Sequence, residues 1–387
     1  MRELSSMAAN ILPSPIRKMF NIASKMNDTV SFALGEPDFT TPKNIIDAAC
    51  KALCAGQTHY TPNAGILPLR EAISRSLNKI SGIDVNPESE IVVTVGGTEA
   101  LILSMMVLLG PGDEVILANP YWPNHPAQVE MCGGVPRFVR VFEKDGFIYN
   151  PDDLKKVINK KTKAIVLNSP ANPTGGVAGR KVLEDIAKIA IENDLYVISD
   201  EVYKHFVYDD AKFTSISCIE GMRQRTIIID SFSKSYAMTG WRIGYASSNS
   251  SIIQNMTKLH ENVCACVNTS TQYAAIEALE GPVEPLEYMI QKYAQRRNLI
   301  VDGINSIESL SCMKPKGAFY VFMDVTKTGL TSDEFATRLL KETGVVLVPG
   351  TGFGDAGEGF VRLSYATSEE NIEEGLKRIR SFVYNLK

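Results

Sequence analysis

The stretch Asp230-Ser231-Phe232-Ser233-Lys234-Ser235-Tyr236-Ala237-Met238-Thr239-Gly240-Trp241-Arg242-Ile243-Gly244 brings together an amine, several small hydroxyls and a guanidinium. It follows Thr226-Ile227-Ile228-Ile229, a β-branched run that reads as a fully buried strand. A lysine just past such a strand sits where open α/β sheets take their ligands, beyond the carboxyl ends of the strands. There an amine can attack a carbonyl, while hydroxyls and an arginine can hold a phosphate. Taken singly, Lys234 reads more simply as a solvated loop lysine and Arg242 as a surface charge. The rest of the chain reverses that reading.

Four more strand ends carry candidate groups. Ile91–Val95 runs into Gly96-Gly97-Thr98-Glu99 and an apolar helix. Glycines before a helix N-terminus make an anion site, or an ordinary N-cap. Glu114–Ala118 leads to Asn119-Pro120-Tyr121-Trp122-Pro123-Asn124-His125, whose aromatics can stack on a flat ring or cover the core. Thr162–Asn168 leads to Ser169-Pro170-Ala171-Asn172-Pro173-Thr174-Gly175-Gly176. Leu195–Ser199 ends at Asp200, a carboxylate that needs a partner if buried. Ligand-type residues at the ends of five strands are a coincidence that loop chemistry alone does not explain.

The elements that position them alternate strand and helix, which predicts a mainly parallel sheet covered by helices. Helices are predicted from Thr41-Pro42 to Leu53, with Thr41 as N-cap, from Leu67 to Ile80 before Gly82, and from Arg180 to Glu192. Ser14-Pro15 opens another. Its apolar face, Ile16, Met19, Phe20, Ala23 and Met26, needs the protein's own core or a subunit to cover it. Val30–Phe39 is a short strand and turn in which Gly35 permits close backbone approach to a ligand, or serves only the turn. After Pro282 the pattern changes. A helix from Pro285 to Ser306, strands Ala318–Met323, Val345–Val348 and Gly359–Tyr365, and helices near Ser332 and Glu369 form a smaller α+β unit. Arg362 lies within its last strand, where it pairs with a structural acid or a substrate carboxylate.

A chain of 387 residues is expected to form two domains. The net charge of −4, without a basic block, argues against nucleic acid. Met1–Met7 lacks a signal-peptide core and no stretch is apolar enough to span a bilayer, so no membrane and a cytoplasmic location are expected. Seven cysteines suggest free thiols. Neither Cys50/Cys54 nor Cys264/Cys266 has zinc-site spacing, and no metal is expected.

Four motifs in order, Asn172-Pro173-Thr174-Gly175, Asp200-Glu201-Val202-Tyr203, Ser231-Phe232-Ser233-Lys234 and Arg242, carry a resemblance. The chain resembles the class I pyridoxal-phosphate aminotransferases of the aspartate aminotransferase fold type, most nearly their prokaryotic aspartate/aromatic branch. The resemblance runs from Leu34-Gly35-Glu36-Pro37 to Arg362-Leu363-Ser364-Tyr365-Ala366. It implies an α/β fold: a large domain (44–284) with a mainly parallel sheet covered by helices, a smaller α+β domain (285–387), and an N-terminal segment (1–43) packed with the smaller one. It implies that Lys234 binds the cofactor covalently and then shuttles the proton. Asp200, backed by His125, would hold the pyridine nitrogen, and Tyr203 and Asn172 the phenolic oxygen. Gly97, Thr98, Ser231 and Arg242 would cup the phosphate, and Trp122 would stack on the ring. Tyr60 would reach the phosphate of a neighbouring subunit, making a homodimer. Gly35 and Arg362, with Trp122 and Asn172, would meet the amino-acid and 2-oxo-acid substrates. It also implies cis peptides at Asn119-Pro120 and Asn172-Pro173.

The chemistry needs such groups independently. A carbanion at Cα must be delocalised into a protonated ring, an amine must carry the proton, and an arginine must fix the α-carboxylate. A carbon–sulfur β-lyase would use the same residues. A cofactor-sensing regulator would need a DNA-binding domain in front, for which the few dozen preceding residues leave no room. Within the transaminases, the counter-charges for an acidic side chain are missing from their usual places. Ser251–Glu280 contains only Lys258 and His260 as basic residues, and Thr98 stands where some relatives place a lysine. Aromatic or other apolar donors are therefore expected over aspartate, with Trp122, Tyr60 and Ile16 as pocket walls. The alternative is an aspartate aminotransferase in which Lys258 or another residue supplies the charge.

Overall fold

The computed structural model describes residues 5–11, 19, 21, 22, 26 and 28–386. Most of the helix expected from Ser14, with Ile16 as a pocket wall, lies outside them.

The strand expected at Val30–Phe39 is only two residues long, β1 (Val30–Ser31). A mixed sheet of seven strands comes next: β2 (Ile91–Thr94), β3 (Glu114–Asn119), β4 (Val135–Arg140), β5 (Thr162–Asn168), β6 (Tyr196–Asp200), β7 (Thr226–Ser231) and β8 (Gly244–Ser247), in the order β2-β8-β7-β6-β5-β3-β4. The run β7-β6-β5-β3-β4 is parallel. Only β8 runs against its neighbours, β2 and β7. Edge strand β2 and central strands β6 and β7 are buried almost throughout, as β-branched runs covered on both faces must be. Helices Gly97–Leu108 and Ser250–Cys264 cover one face, and Arg180–Glu192 shares a core with the other. Because the sheet is parallel from β7 to β4, those strands all deliver their carboxyl ends to one edge.

A second, antiparallel sheet is built from β9 (Ser311–Cys312), β10 (Tyr320–Asp324), β12 (Val348–Pro349) and β13 (Phe360–Ser364), in the order β12-β13-β10-β9. Between them in the chain, β11 (Val345–Val346) pairs in parallel with β1. The single strand expected at Val345–Val348 is thus two, split at Leu347. The first half takes β1 as partner and the second takes β13. Phe32 continues the contact, accepting from Ser364 N at 2.8 Å.

Thr41 does not cap helix Lys43–Cys54; the N-cap position is Pro42. The Thr41 hydroxyl is engaged elsewhere, donating to Ala237 O at 2.6 Å and accepting from Trp241 Nε1 at 2.9 Å. It ties the segment after β1 to the loop that carries Lys234. Among the described residues no helix is long and apolar enough to cross a membrane.

Candidate active site

Lys234 lies in a single helical turn, Phe232–Ser235, directly after β7. Ser231 caps that turn, its hydroxyl accepting from Ser233 N at 3.1 Å. Lys234 Nζ donates to Gly35 O. The side chain is part-exposed, but the protein around its ammonium removes so much water that the pKa falls to about 8. Glu36 opposes this fall, while Arg362 and Arg242 add to it.

At the end of β6, Asp200 is buried. Its Oδ2 stands 3.4 Å from His125 Nε2, within ion-pair range but misaligned for a hydrogen bond. Trp122 meets the His125 ring edge-on, with centroids 5.5 Å apart. Beside Asp200, Asn168 at the end of β5 accepts from Asn172 N at 2.9 Å, which fixes the next loop. Asn172 Oδ1 in turn accepts from Arg362 Nη1 at 3.1 Å. Arg362 is 1% exposed, its Nη2 donates to Ala33 O, and its Nε has no partner. The second sheet therefore supplies a buried guanidinium with donor capacity to spare, aimed at the segment that also receives Lys234. Burial lowers the Arg362 pKa from its usual value.

The loop after β2 forms a cup. Gly96 has φ +79°, and a Cβ there would meet Arg242 Nη2 at 2.6 Å. Arg242, itself left-handed at φ 54°, is held by a bond from Nη1 to Thr239 O at 2.8 Å. Gly97, the first residue of helix Gly97–Leu108, faces Ser231 and Val202. Free N–H groups, a guanidinium and a hydroxyl thus converge on one small space, the arrangement that binds a phosphate. Thr98 adjoins it and is half-buried. Tyr60 stands apart, 90% exposed, and touches none of these groups within its own chain. The peptides Asn119-Pro120 and Asn172-Pro173 are cis as expected, and Ser169-Pro170 is cis as well.

The sequence model described as "Aminotransferase class I and II" matches residues 27–379. The chain belongs to that family. This aminotransferase is 46% identical over 377 residues to an aspartate aminotransferase of Pyrococcus abyssi, covering 97% of each. It is 42% identical over 386 residues to aromatic-amino-acid aminotransferase 2 of Thermococcus litoralis, covering 99% of each. Among solved structures it resembles an aromatic aminotransferase from Pyrococcus horikoshii (TM-score 0.91, 43% identity, 96% of this chain and 99% of that one). It also resembles the Thermus thermophilus aspartate aminotransferase with maleate (TM-score 0.94, 39% identity, 98% and 100%).

Three groups in the aminotransferase went unread in the sequence. Tyr320 places its hydroxyl 2.7 Å from that of Tyr203, inside the site. Behind the sheet, Lys204 pairs with Asp230 at 2.7 Å, and Tyr245 donates to the same carboxylate at 2.9 Å. Asp230, at the end of a buried strand, carried the same signal as Asp200. Near them Glu201 accepts from Ser199 at 2.8 Å and Ser215 at 2.6 Å, yet burial pushes its pKa up to about 7. The third group is Glu99, His260 and Cys264. His260 Nδ1 lies 3.0 Å and Cys264 Sγ 3.2 Å from Glu99 Oε1. With Val95 N on Glu99 Oε2, this cluster is closed by its own hydrogen bonds.

Proposed function

We propose that this aminotransferase moves the amino group of an L-amino acid to a 2-oxo acid such as 2-oxoglutarate, with pyridoxal 5′-phosphate as cofactor and with aromatic or other apolar donors preferred to aspartate. The carrying observation is that Lys234 and Arg362, from different sheets, both bond the Ala33–Gly35 backbone. A reactive amine and a carboxylate receptor thereby share one space.

The residues fit the cofactor. The cup at Gly96, Gly97, Thr98, Ser231 and Arg242 suits its phosphate, and Asp200, backed by His125, suits its ring nitrogen. Tyr203 and Asn172 suit the phenolic oxygen, and Trp122 the ring face. When bound, the cofactor supplies an electron sink for the carbanion at Cα. Arg362, with a free Nε and a donating Nη1, takes the α-carboxylate beside Asn172 and Gly35 and so sets the direction of the Cα–H bond. Lys234 Nζ takes that proton. Its lowered pKa leaves a larger share of free amine near neutrality than an ordinary lysine has.

The donor preference rests on charge. His260 is fully buried against Glu99, and Lys258 is exposed on helix Ser250–Cys264, bonded to Asn255. Neither is presented to a ligand of this chain, and a carboxylate desolvated without a cation is strongly disfavoured. A panel of L-amino acids with 2-oxoglutarate, compared by kcat/KM, tests this. Phenylalanine and tyrosine should exceed aspartate. Aspartate ahead by tenfold, about 1.4 kcal/mol, would overturn the preference and leave the reaction standing.

We also propose a homodimer in which Tyr60 serves the neighbouring site, supported by the exposure of that ring. Light scattering on dilution should find activity only in the dimer; an active monomer would refute this. Residues 44–284 and 285–387 form its larger and smaller domains, and the pairing of β1 with β11 supports assigning 1–43 to the smaller. Seven unpaired cysteines fit a reducing cytoplasm.

A further inference from the structure

Tyr320 is a buried phenol that touches Tyr203, Gly35 and Arg362 of the proposed site while having no part in the function described above. It stands at the start of β10, 1% exposed. Its hydroxyl is 2.7 Å from the Tyr203 hydroxyl and 3.4 Å from Gly35 O, the oxygen that also receives Lys234 Nζ. Its ring lies 4.7 Å from the Arg362 guanidinium carbon, a cation–π contact that holds ring and guanidinium together. The fit is tight enough to decide a neighbour, since a Cβ on Gly35 would come within 2.2 Å of the Tyr320 hydroxyl.

We propose that Tyr320 is a positioning residue that sets the strength of the Tyr203 hydrogen bond to the cofactor, a role that rests on the function proposed above. A hydroxyl has one proton to give. For Tyr203 to donate to the cofactor's phenolic oxygen, Tyr320 must give its one proton to Tyr203 across the 2.7 Å contact and not to Gly35 O at 3.4 Å, an oxygen that Lys234 Nζ already serves. A phenol that accepts a hydrogen bond is a better donor in turn. The charged groups facing the pair are Arg362, Asp200 and Lys234: the Asp200 carboxylate has no proton to give, Lys234 bonds Gly35 O, and both Arg362 Nη atoms bond elsewhere, which leaves Tyr320 as the hydroxyl in contact with Tyr203. The relay thus joins the guanidinium that reads the substrate's carboxylate to the phenol that tunes the cofactor.

Tyr320→Phe keeps the ring under Arg362 and removes only the hydroxyl. A donor on the phenolic oxygen stabilises its anion, so a weakened donor should raise the pH midpoint of the bound cofactor's visible absorption. As holoenzymes, Tyr320→Phe should titrate about 0.5 unit above the wild type, and Tyr203→Phe higher still. The double variant should go no further than Tyr203→Phe alone. An unchanged or lowered midpoint in Tyr320→Phe overturns the relay, and so does a double variant equal to the sum of the single changes. A wild type without pH-dependent absorption overturns the cofactor reading itself and the relay with it, which separates the two failures.

Discussion

Two lysines thirty positions apart meet the sheet edge in opposite ways. Lys204 sits in a closed set, paired with Asp230 and bonded to Tyr245, while both Asp230 oxygens accept hydrogen bonds. Lys234 is hydrogen-bonded only to a backbone carbonyl, and the pull of Glu36 and Asp200 does not offset its lost hydration and two arginines that share its sign. Both lose hydration, but only the first has a direct ion pair to replace it. Buried charge that is fully matched serves the fold, whereas buried charge left under-matched is held for something that arrives later.

Removing either lysine should therefore do opposite things. Lys234→Ala should lower transamination by about 10²–10⁴-fold and abolish the pH-dependent visible absorption. Its stability should not suffer. The Lys234 pKa is lowered in the fold, so below about 8 the folded chain carries a poorly hydrated charge that the unfolded chain hydrates freely. Cofactor-free Lys234→Ala should melt no lower than the cofactor-free wild type at pH 7; a clear drop would erase the contrast.

Lys204→Met should show the reverse pattern. It leaves Asp230 buried and unpaired, at a cost of about 3–5 kcal/mol in stability, while the holoenzyme that does fold keeps its absorption midpoint. Denaturant unfolding checks the first half and a pH titration the second. A variant as stable as the wild type would mean that the pair is structurally idle.

The smallest effect concerns Glu201, which sits between the two behaviours, hydrogen-bonded on Oε1 and bare on Oε2. Its pKa stands at about 7 in the fold against an ordinary 4.5. Between those values the folded chain keeps a proton that the unfolded chain has lost. The stability gained from a neutral Glu201 is complete below about 4.5 and is lost as pH rises through about 7. Glu201→Gln, neutral throughout, should remove on the order of 1–2 kcal/mol of that decline between pH 5 and 8. Equal slopes for variant and wild type in thermal melts would show that Glu201 is already ionised.

Legibility in the sequence followed the range of the interaction. Strand β7, the helix Arg180–Glu192 and the turn at Gly82 were readable because periodicity and capping are local. Asp200 and Arg362 were readable as groups in need of partners, since a charge at the end of or within an apolar strand announces itself. His125 as the partner of Asp200 came only from the resemblance, and Asn172 as a partner of Arg362 from the structure alone, both being set by strand order and not by spacing. Thr41 misled because its hydroxyl bonds across nearly two hundred residues and not to its own helix. Tyr320 gave no signal. A tyrosine in an apolar strand is ordinary, and only its distance to Tyr203 makes it more than core.

The pairing of β1 with β11 has a consequence for how the protein is made. Val30 emerges from the ribosome long before its partner Val345. At about 5–20 residues per second the delay is roughly 16–60 s. Throughout that interval the Ala33–Gly35 wall has no strand to lie on, and the arginine that grips it has not been synthesised. The large sheet can form, complete with Lys234, before anything exists to bind a carboxylate beside it. The nascent chain is thus expected to pass through a state that can hold cofactor but cannot yet select a substrate.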